Sequence, residues 1–112
     1  MKINSKLLST SGNGVRNSTF TSGTCKYYKM GKVVCVHISD LWGNSSAYSG
    51  NMFTGLPKPI VQPVFMLYSY STFSQARVRV DSNGIVTSHY STMEATNSGK
   101  QFYGIVVYET ND

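Results

Sequence analysis

The sequence predicts an all-β fold, an antiparallel β-sandwich of jelly-roll type in a single domain. Composition points there first: glycine, serine, threonine, tyrosine and valine dominate, while the helix formers leucine, alanine and glutamate are scarce. The second observation is the stretch Ala76-Arg77-Val78-Arg79-Val80-Asp81-Ser82-Asn83-Gly84-Ile85-Val86-Thr87, where Ala76, Val78 and Val80 alternate with Arg77, Arg79 and Asp81. That is the two-residue period of a strand with one apolar and one wet face. Asp81-Ser82-Asn83-Gly84 then supplies a turn, because Asp bonds to backbone two residues on and Asn and Gly accept positive φ cheaply. Third, about seven extended segments recur at short spacing, the pattern of a sandwich or jelly roll. At 112 residues the chain makes one domain, large enough to bury roughly 65% of its unfolded surface.

In chain order, residues 1–20 read as a flexible or subunit-packed lead-in to a domain spanning 21–112: Ser9 to Gly14 is turn chemistry with few apolar neighbours. Thr19-Phe20-Thr21 reads as a short strand and Ser22-Gly23-Thr24 as a turn. Cys25 to Met30 and Lys32 to Ser39 form a hairpin. Val34, Val36 and Ile38 share one face of its second strand and Val33, Cys35 and His37 the other, the pattern of a central strand covered on both sides. Asp40 to Gly50 reads as a long polar loop displaying Trp42, Asn44 and Tyr48, and loops of that length are often functional. Met52-Phe53-Thr54 is a short strand, and Leu56-Pro57-Lys58-Pro59 excludes helix and central strand alike. Ile60 to Ser71 returns as a strand with Val64, Met66, Tyr68 and Tyr70 on one side and Phe65, Leu67 and Ser69 on the other. The Ala76 hairpin follows, ending at His89-Tyr90; Ser91 to Lys100 is loop-like, with a helical turn open to Thr92-Met93-Glu94-Ala95. Gln101 to Glu109 is the closing strand.

Cys25 and Cys35 flank the turn at Met30-Gly31. A three-residue loop sets them directly opposite, within reach of a disulfide, and a two-residue loop offsets them. They read as two thiols, since free cysteine is commonly buried as a small apolar side chain and the polar amino end carries no export signal. No apolar run reaches the roughly 20 residues of a membrane helix.

Ten Lys and Arg against five Asp and Glu give a formal net charge of +5. Such an excess speeds association with anionic partners. The basic residues are scattered without a dense block, so they read as solvated strand faces.

The order of motifs resembles phage tail-fibre and baseplate tip domains. Tyr27-Tyr28-Lys29-Met30-Gly31-Lys32-Val33-Val34 is similar to their "tyrosine, basic, basic, apolar, glycine, valines" hairpin. Leu56-Pro57-Lys58-Pro59 stands where their leucine-proline segment comes, Val78 to Val86 where they carry an "apolar, arginine or polar, apolar, aspartate, turn, glycine, apolar" hairpin, and Phe102 to Tyr108 where an aromatic-rich strand closes the domain. The resemblance runs from about residue 24 to residue 109, and departs where the family's longer leucine-proline-glutamate-glycine-tyrosine-arginine-proline segment is cut to Leu56-Pro57-Lys58-Pro59. It implies a homotrimeric module of a phage or prophage tail that meets other tail proteins and binds a host cell-surface glycan. The place implied is the virion.

No pair of residues announces catalysis. Of the five acids, Asp81 is explained by its turn and Asp112 ends the chain; Asp40, Glu94 and Glu109 remain, and among them Asp40 with Glu94 stays open as a carboxylate pairing. His37 and His89 lie in strands without metal-like neighbours, and no glycine-x-serine-x-glycine elbow occurs. The expectation is a non-enzymatic protein without metal or cofactor. Sugars are held by aromatic faces stacked on their CH surfaces and by planar hydrogen-bonding groups. Trp42, Asn44, Tyr48, Tyr70, Arg77 and Tyr90 have those types and are the candidate ligand-binding residues. Each has a packing role as its competitor, because Tyr and Trp are also enriched in subunit interfaces. Two other readings stand beside host adhesion. One is a purely structural trimeric tail module. The other is a basic single-stranded nucleic-acid-binding barrel, disfavoured because its aromatic and basic residues do not cluster.

Overall fold

The computed structural model describes residues 9–112, and the first part of the expected lead-in, residues 1–8, lies outside them. Nine strands follow one another: β1 (Ser9–Asn13), β2 (Val15–Arg16), β3 (Ser22–Met30), β4 (Val33–Trp42), β5 (Asn51–Thr54), β6 (Val64–Ser69), β7 (Ser74–Val80), β8 (Val86–Ser88) and β9 (Phe102–Glu109). Every pairing is antiparallel, in the order β1-β3-β4-β9-β6-β7-β8-β5-β2. Among the described residues there is no helix.

The all-β antiparallel prediction is met, but the layers of a sandwich are not separate. Pairing runs unbroken through β9, and the two edges of the sheet, β1 and β2, are consecutive in the chain with Gly14 alone between them. The Gly14 N–H donates to the Cys25 carbonyl at 2.7 Å as the chain leaves β3 for β5. A Cβ on Gly14 would sit 3.0 Å from Cys25 Sγ and 3.3 Å from the Thr54 carbonyl oxygen, so the crossing is tightly packed. The result is one nearly closed, barrel-like sheet. Residues 9–16, expected in a lead-in, are the staves that close it, and Phe20 is buried in the core. Their burial pattern is mostly exposed, which is why no apolar period marks them.

Both sequence-read hairpins form. In the β7–β8 hairpin Val80 pairs with Val86, and Asp81 Oδ1 accepts from the backbone N–H of Asn83 (2.8 Å) and Ile85 (3.1 Å). Gly84 sits at φ 75. In the β3–β4 hairpin Met30 pairs with Val33, leaving Gly31 and Lys32 as a two-residue loop. Cys25 therefore faces Ile38 and Cys35 faces Tyr28: the thiols are offset and free, Cys25 buried and Cys35 partly exposed. Burial, against a backbone hydrogen bond from Gly14, pushes the Cys25 thiol up to about 12.

Val34, Val36 and Ile38 of β4 point into the core with Phe102, Val106 and Tyr108 of β9, and Leu67, Ala76, Val78 and Val80 close it from β6 and β7. Each such large apolar side chain contributes about 1.5–3 kcal/mol through burial. The second apolar face expected on β4 is not covered by the described residues: Val33 stays exposed, and Ile105 and Val107 on the neighbouring β9 do too. Ser22 to Thr24, expected as a turn, belongs to β3 with a register shift, and Thr92 to Ala95 forms no helical turn, Met93 bridging instead to Tyr48.

Candidate functional site: a tyrosine-lined groove

β9 pairs along most of its length with β4 but with β6 only through Tyr68 and Tyr103. Across β4, β9 and β6 lies an open groove of ≈ 450 Å³, walled by His37, Met66, Tyr68, Tyr70, Tyr103 and Ile105. Its floor depends on Gly104. A Cβ there would stand 2.5 Å from Leu67 Cδ2 and 3.0 Å from the Met66 carbonyl, so only glycine lets β6 approach this closely.

A bulge arms one wall. Ile38 pairs with Gly104 but the next pair is Leu41 with Phe102, so β4 sets both Ser39 and Asp40 against Tyr103. Asp40 takes φ 54, and a bulge of this kind re-aims a side chain. Here the Asp40 carboxylate accepts the Tyr103 hydroxyl at 2.6 Å. That hydrogen bond to a carboxylate holds the Tyr103 proton and raises the phenol above its ordinary value, with desolvation and the charges of Asp40 and Tyr70 adding. Tyr103 in turn stacks on Tyr70, with centroids 5.1 Å apart and planes at 23°. Tyr70 opens the turn after β6, which is tied down where Ser71 Oγ donates to the Gly99 carbonyl and Gly99 N–H donates to Asn97 Oδ1 at 2.9 Å. Even so held, Tyr70 keeps 72% of its surface in solvent. Exposed ring faces beside a fixed carboxylate suit a flat, hydroxylated, partly apolar ligand.

The six sequence-predicted residues are not brought to one place. Tyr70 lines the groove. Arg77 lies opposite Met66 on the β6–β7 ladder, and its guanidinium donates to the carbonyls of His89 (2.9 Å) and Tyr90 (3.0 Å), so it braces the chain after β8. Tyr90 follows at φ 49, is 87% exposed and sets its ring edge-on to His89. Trp42 ends β4 opposite Ser22, half-buried, and is not part of the groove. Asn44 is buried: its amide donates to the carbonyls of Glu94 (2.8 Å) and Ser46 (3.1 Å) and accepts from Thr96 Oγ1. Tyr48 donates to the Asn51 carbonyl at 2.7 Å and packs edge-on against Phe20. Asn44 and Tyr48 thus fasten the residue 43–50 loop to the residue 93–96 segment, with no free polar face of Asn44 left for a ligand.

Tyr103 is not among the candidates read from the sequence, and Asp40 enters there only as half of a carboxylate pairing. A signal was present: the inward residues run Val34, Val36, Ile38 and then Leu41, a spacing of three where two is due, which marks a bulge at Ser39-Asp40. Asp40 and Glu94, the carboxylates left open as a pair, serve different partners. Glu94 accepts from Lys100 and Ser74, and the Lys100 ammonium, first by hydrogen bond and then by charge, draws its carboxyl below the ordinary range.

Compared with known proteins, the chain matches no family model and no curated protein. Among the described residues no group of three or more His, Cys, Asp or Glu is placed to hold a metal ion, and no helix is long and apolar enough to cross a membrane.

Proposed function

We propose that this chain is a receptor-binding domain of a phage or prophage tail that holds a host cell-surface saccharide in the tyrosine groove without transforming it. The observation that carries the reading is the solvent-facing tyrosine wall: Tyr70 stacked on Tyr103, Tyr68 paired beside them, and Asp40 fixed behind. Rings held in this way present apolar faces to sugar CH groups at little entropic cost, and the carboxylate and His37 offer hydrogen bonds to hydroxyls. The affinity is expected to come from stacking, since no lysine or arginine among the described residues lines the groove; that also argues against a nucleic acid as the ligand. The domain acts in the virion as a homotrimer joined to other tail proteins, with neither cofactor nor membrane insertion. Binding of the purified chain to host cell-wall glycans, compared with the Tyr70→Ala and Tyr68→Ala variants, tests it. Loss of binding in both supports the groove; equal binding by both removes it.

The apolar outer face of β4 and β9 favours a second reading, a purely structural trimeric tail module. It needs no ligand, and under it Tyr70→Ala and Trp42→Ala leave adsorption to the host unchanged.

A further inference from the structure

We infer that the saccharide selected by the tyrosine groove carries a free protonated amine, which donates an N–H to Asp40 and lies against the tyrosine faces. The inference deepens the proposed function and rests on the groove being a saccharide site.

The starting point is a carboxylate left without a cation. Asp40 Oδ1 accepts the Tyr103 hydroxyl at 2.6 Å; among the described residues nothing else donates to Asp40, and no Lys or Arg stands at ion-pair distance from it. Its second oxygen is therefore open to a donor, at an exposed position. A shortage of cations is not the cause, since the chain has ten Lys and Arg against five Asp and Glu. Three of the other acids are accounted for: Asp81 by its turn, Glu94 by Lys100, and Asp112 by the Lys58 N–H. Glu109 also lacks a cation, but it stands opposite Val33 and shares a hollow with the aliphatic Ile60 and Val61.

Asp40 differs from Glu109 in being joined to a stack of rings. Tyr103, bonded to it, lies on Tyr70, and Tyr68 pairs with Tyr103 across the β6–β9 contact with 46% of its surface in solvent. Ring faces are the negative ends of aromatic quadrupoles, and they attract a cation within about 6 Å of the centroid. The chain makes that contact itself nearby: Lys26, cross-strand from His37, holds its ammonium 5.4 Å over the Tyr28 ring. No Lys or Arg among the described residues lines the groove, so its rings and carboxylate have no such partner from the chain.

The carboxylate chooses between kinds of ammonium. A quaternary ammonium has no N–H to give it, whereas a sugar amine has three and makes a charge-assisted hydrogen bond. The same sugar's CH face then stacks on the neighbouring ring. Acetylating the amine removes the charge and leaves the sugar ring as it was, which supplies the control.

The test follows the backbone amide resonances of Tyr68, Tyr103 and Gly104 while the whole chain is titrated at neutral pH with glucosamine, N-acetylglucosamine, glucose and choline in turn. The expected result is that glucosamine binds about tenfold or more tighter than N-acetylglucosamine and glucose. In Asp40→Asn that ratio is expected to collapse to about one. Asn is at home at positive φ, so the bulge should keep its shape, and circular dichroism checks the fold. Equal binding of the three sugars, or a ratio that Asp40→Asn leaves intact, overturns the inference and keeps the groove as a saccharide site. Choline acting in place of glucosamine also overturns it, because choline reaches the rings without an N–H for Asp40. No shift with any sugar removes the inference and the groove reading together.

Discussion

Replacing Gly84 by alanine tests how the β7–β8 turn is built. Gly84 sits at φ 75, where a Cβ costs about 1–2 kcal/mol in the left-handed region. Its added Cβ would also fall 2.0 Å from the Leu56 carbonyl oxygen, a backbone atom that cannot swing away as a side chain does. Relief requires the Leu56 segment to retreat, which breaks the 3.1 Å bond from Leu56 N–H to the Gly84 carbonyl. That loss adds about 1 kcal/mol, so the total is about 2–3 kcal/mol, or a melting temperature lower by roughly 10 °C for a domain of this size. Gly55 is the internal control: its φ is 86, yet among the described residues its Cβ would meet only Val15 Cγ2, at 4.0 Å. Gly55→Ala is expected to cost only the backbone part, about 1–2 kcal/mol. Thermal and urea unfolding of the two variants, measured side by side, give the difference. Equal losses would refute the close-contact argument and leave only the dihedral.

Other outcomes follow from the same geometry. Asn44→Ala strips hydrogen bonds from the Glu94 carbonyl and the Thr96 hydroxyl in a buried site, and is expected to cost about 3 kcal/mol in urea unfolding. Cys25 keeps its proton in the fold up to about 12, against 9.0 when free, so the unfolded chain loses the proton first. The stability it contributes is complete below pH 9 and lost on rising towards pH 12, about 1 kcal/mol of it between pH 9 and 10. Cys25→Ala should flatten that slope in unfolding measured at the two pH values. Asp40→Asn removes the carboxylate that holds the Tyr103 proton, and spectrophotometric titration should find one phenol moved down towards the ordinary tyrosine value. With a thiol reagent on the dilute protein, Cys35 should react promptly and Cys25 only on unfolding, since one is partly exposed and the other buried.

The elements legible in the sequence are those whose cause is local. Asp81 to Gly84 carries its own turn chemistry, and the inward triplet Val34, Val36 and Ile38 announces a strand whatever it pairs with. The closing strands β1 and β2 were illegible for the opposite reason: they lie exposed along the rim, so nothing apolar repeats in them, and their partners β3 and β5 are fixed by the crossing at Gly14. Barrel closure is a long-range property, and no local period encodes it. The site divides along the same line. Tyr70 could be chosen by type, but its partner Tyr103 comes from the far end of the chain and is set beside it by the β6–β9 pair. Asn44 and Tyr48 misled because a polar loop looks displayed in sequence, whereas contacts with residues 93–96, Phe20 and Asn51 turn both inwards. The thiols turned on one residue of loop length, which Gly31 at φ 59 resolves in favour of the two-residue turn.

The central claim is that the tyrosine groove binds saccharide, and the most direct measurement is glycan-array binding of the wild-type chain beside a Tyr68→Ala, Tyr70→Ala double variant. Both residues are exposed, so the fold should survive their truncation. The account predicts that wild type retains a restricted set of glycans and that the double variant loses them by tenfold or more. Wild type binding no glycan, or the double variant binding the same set equally well, would contradict it.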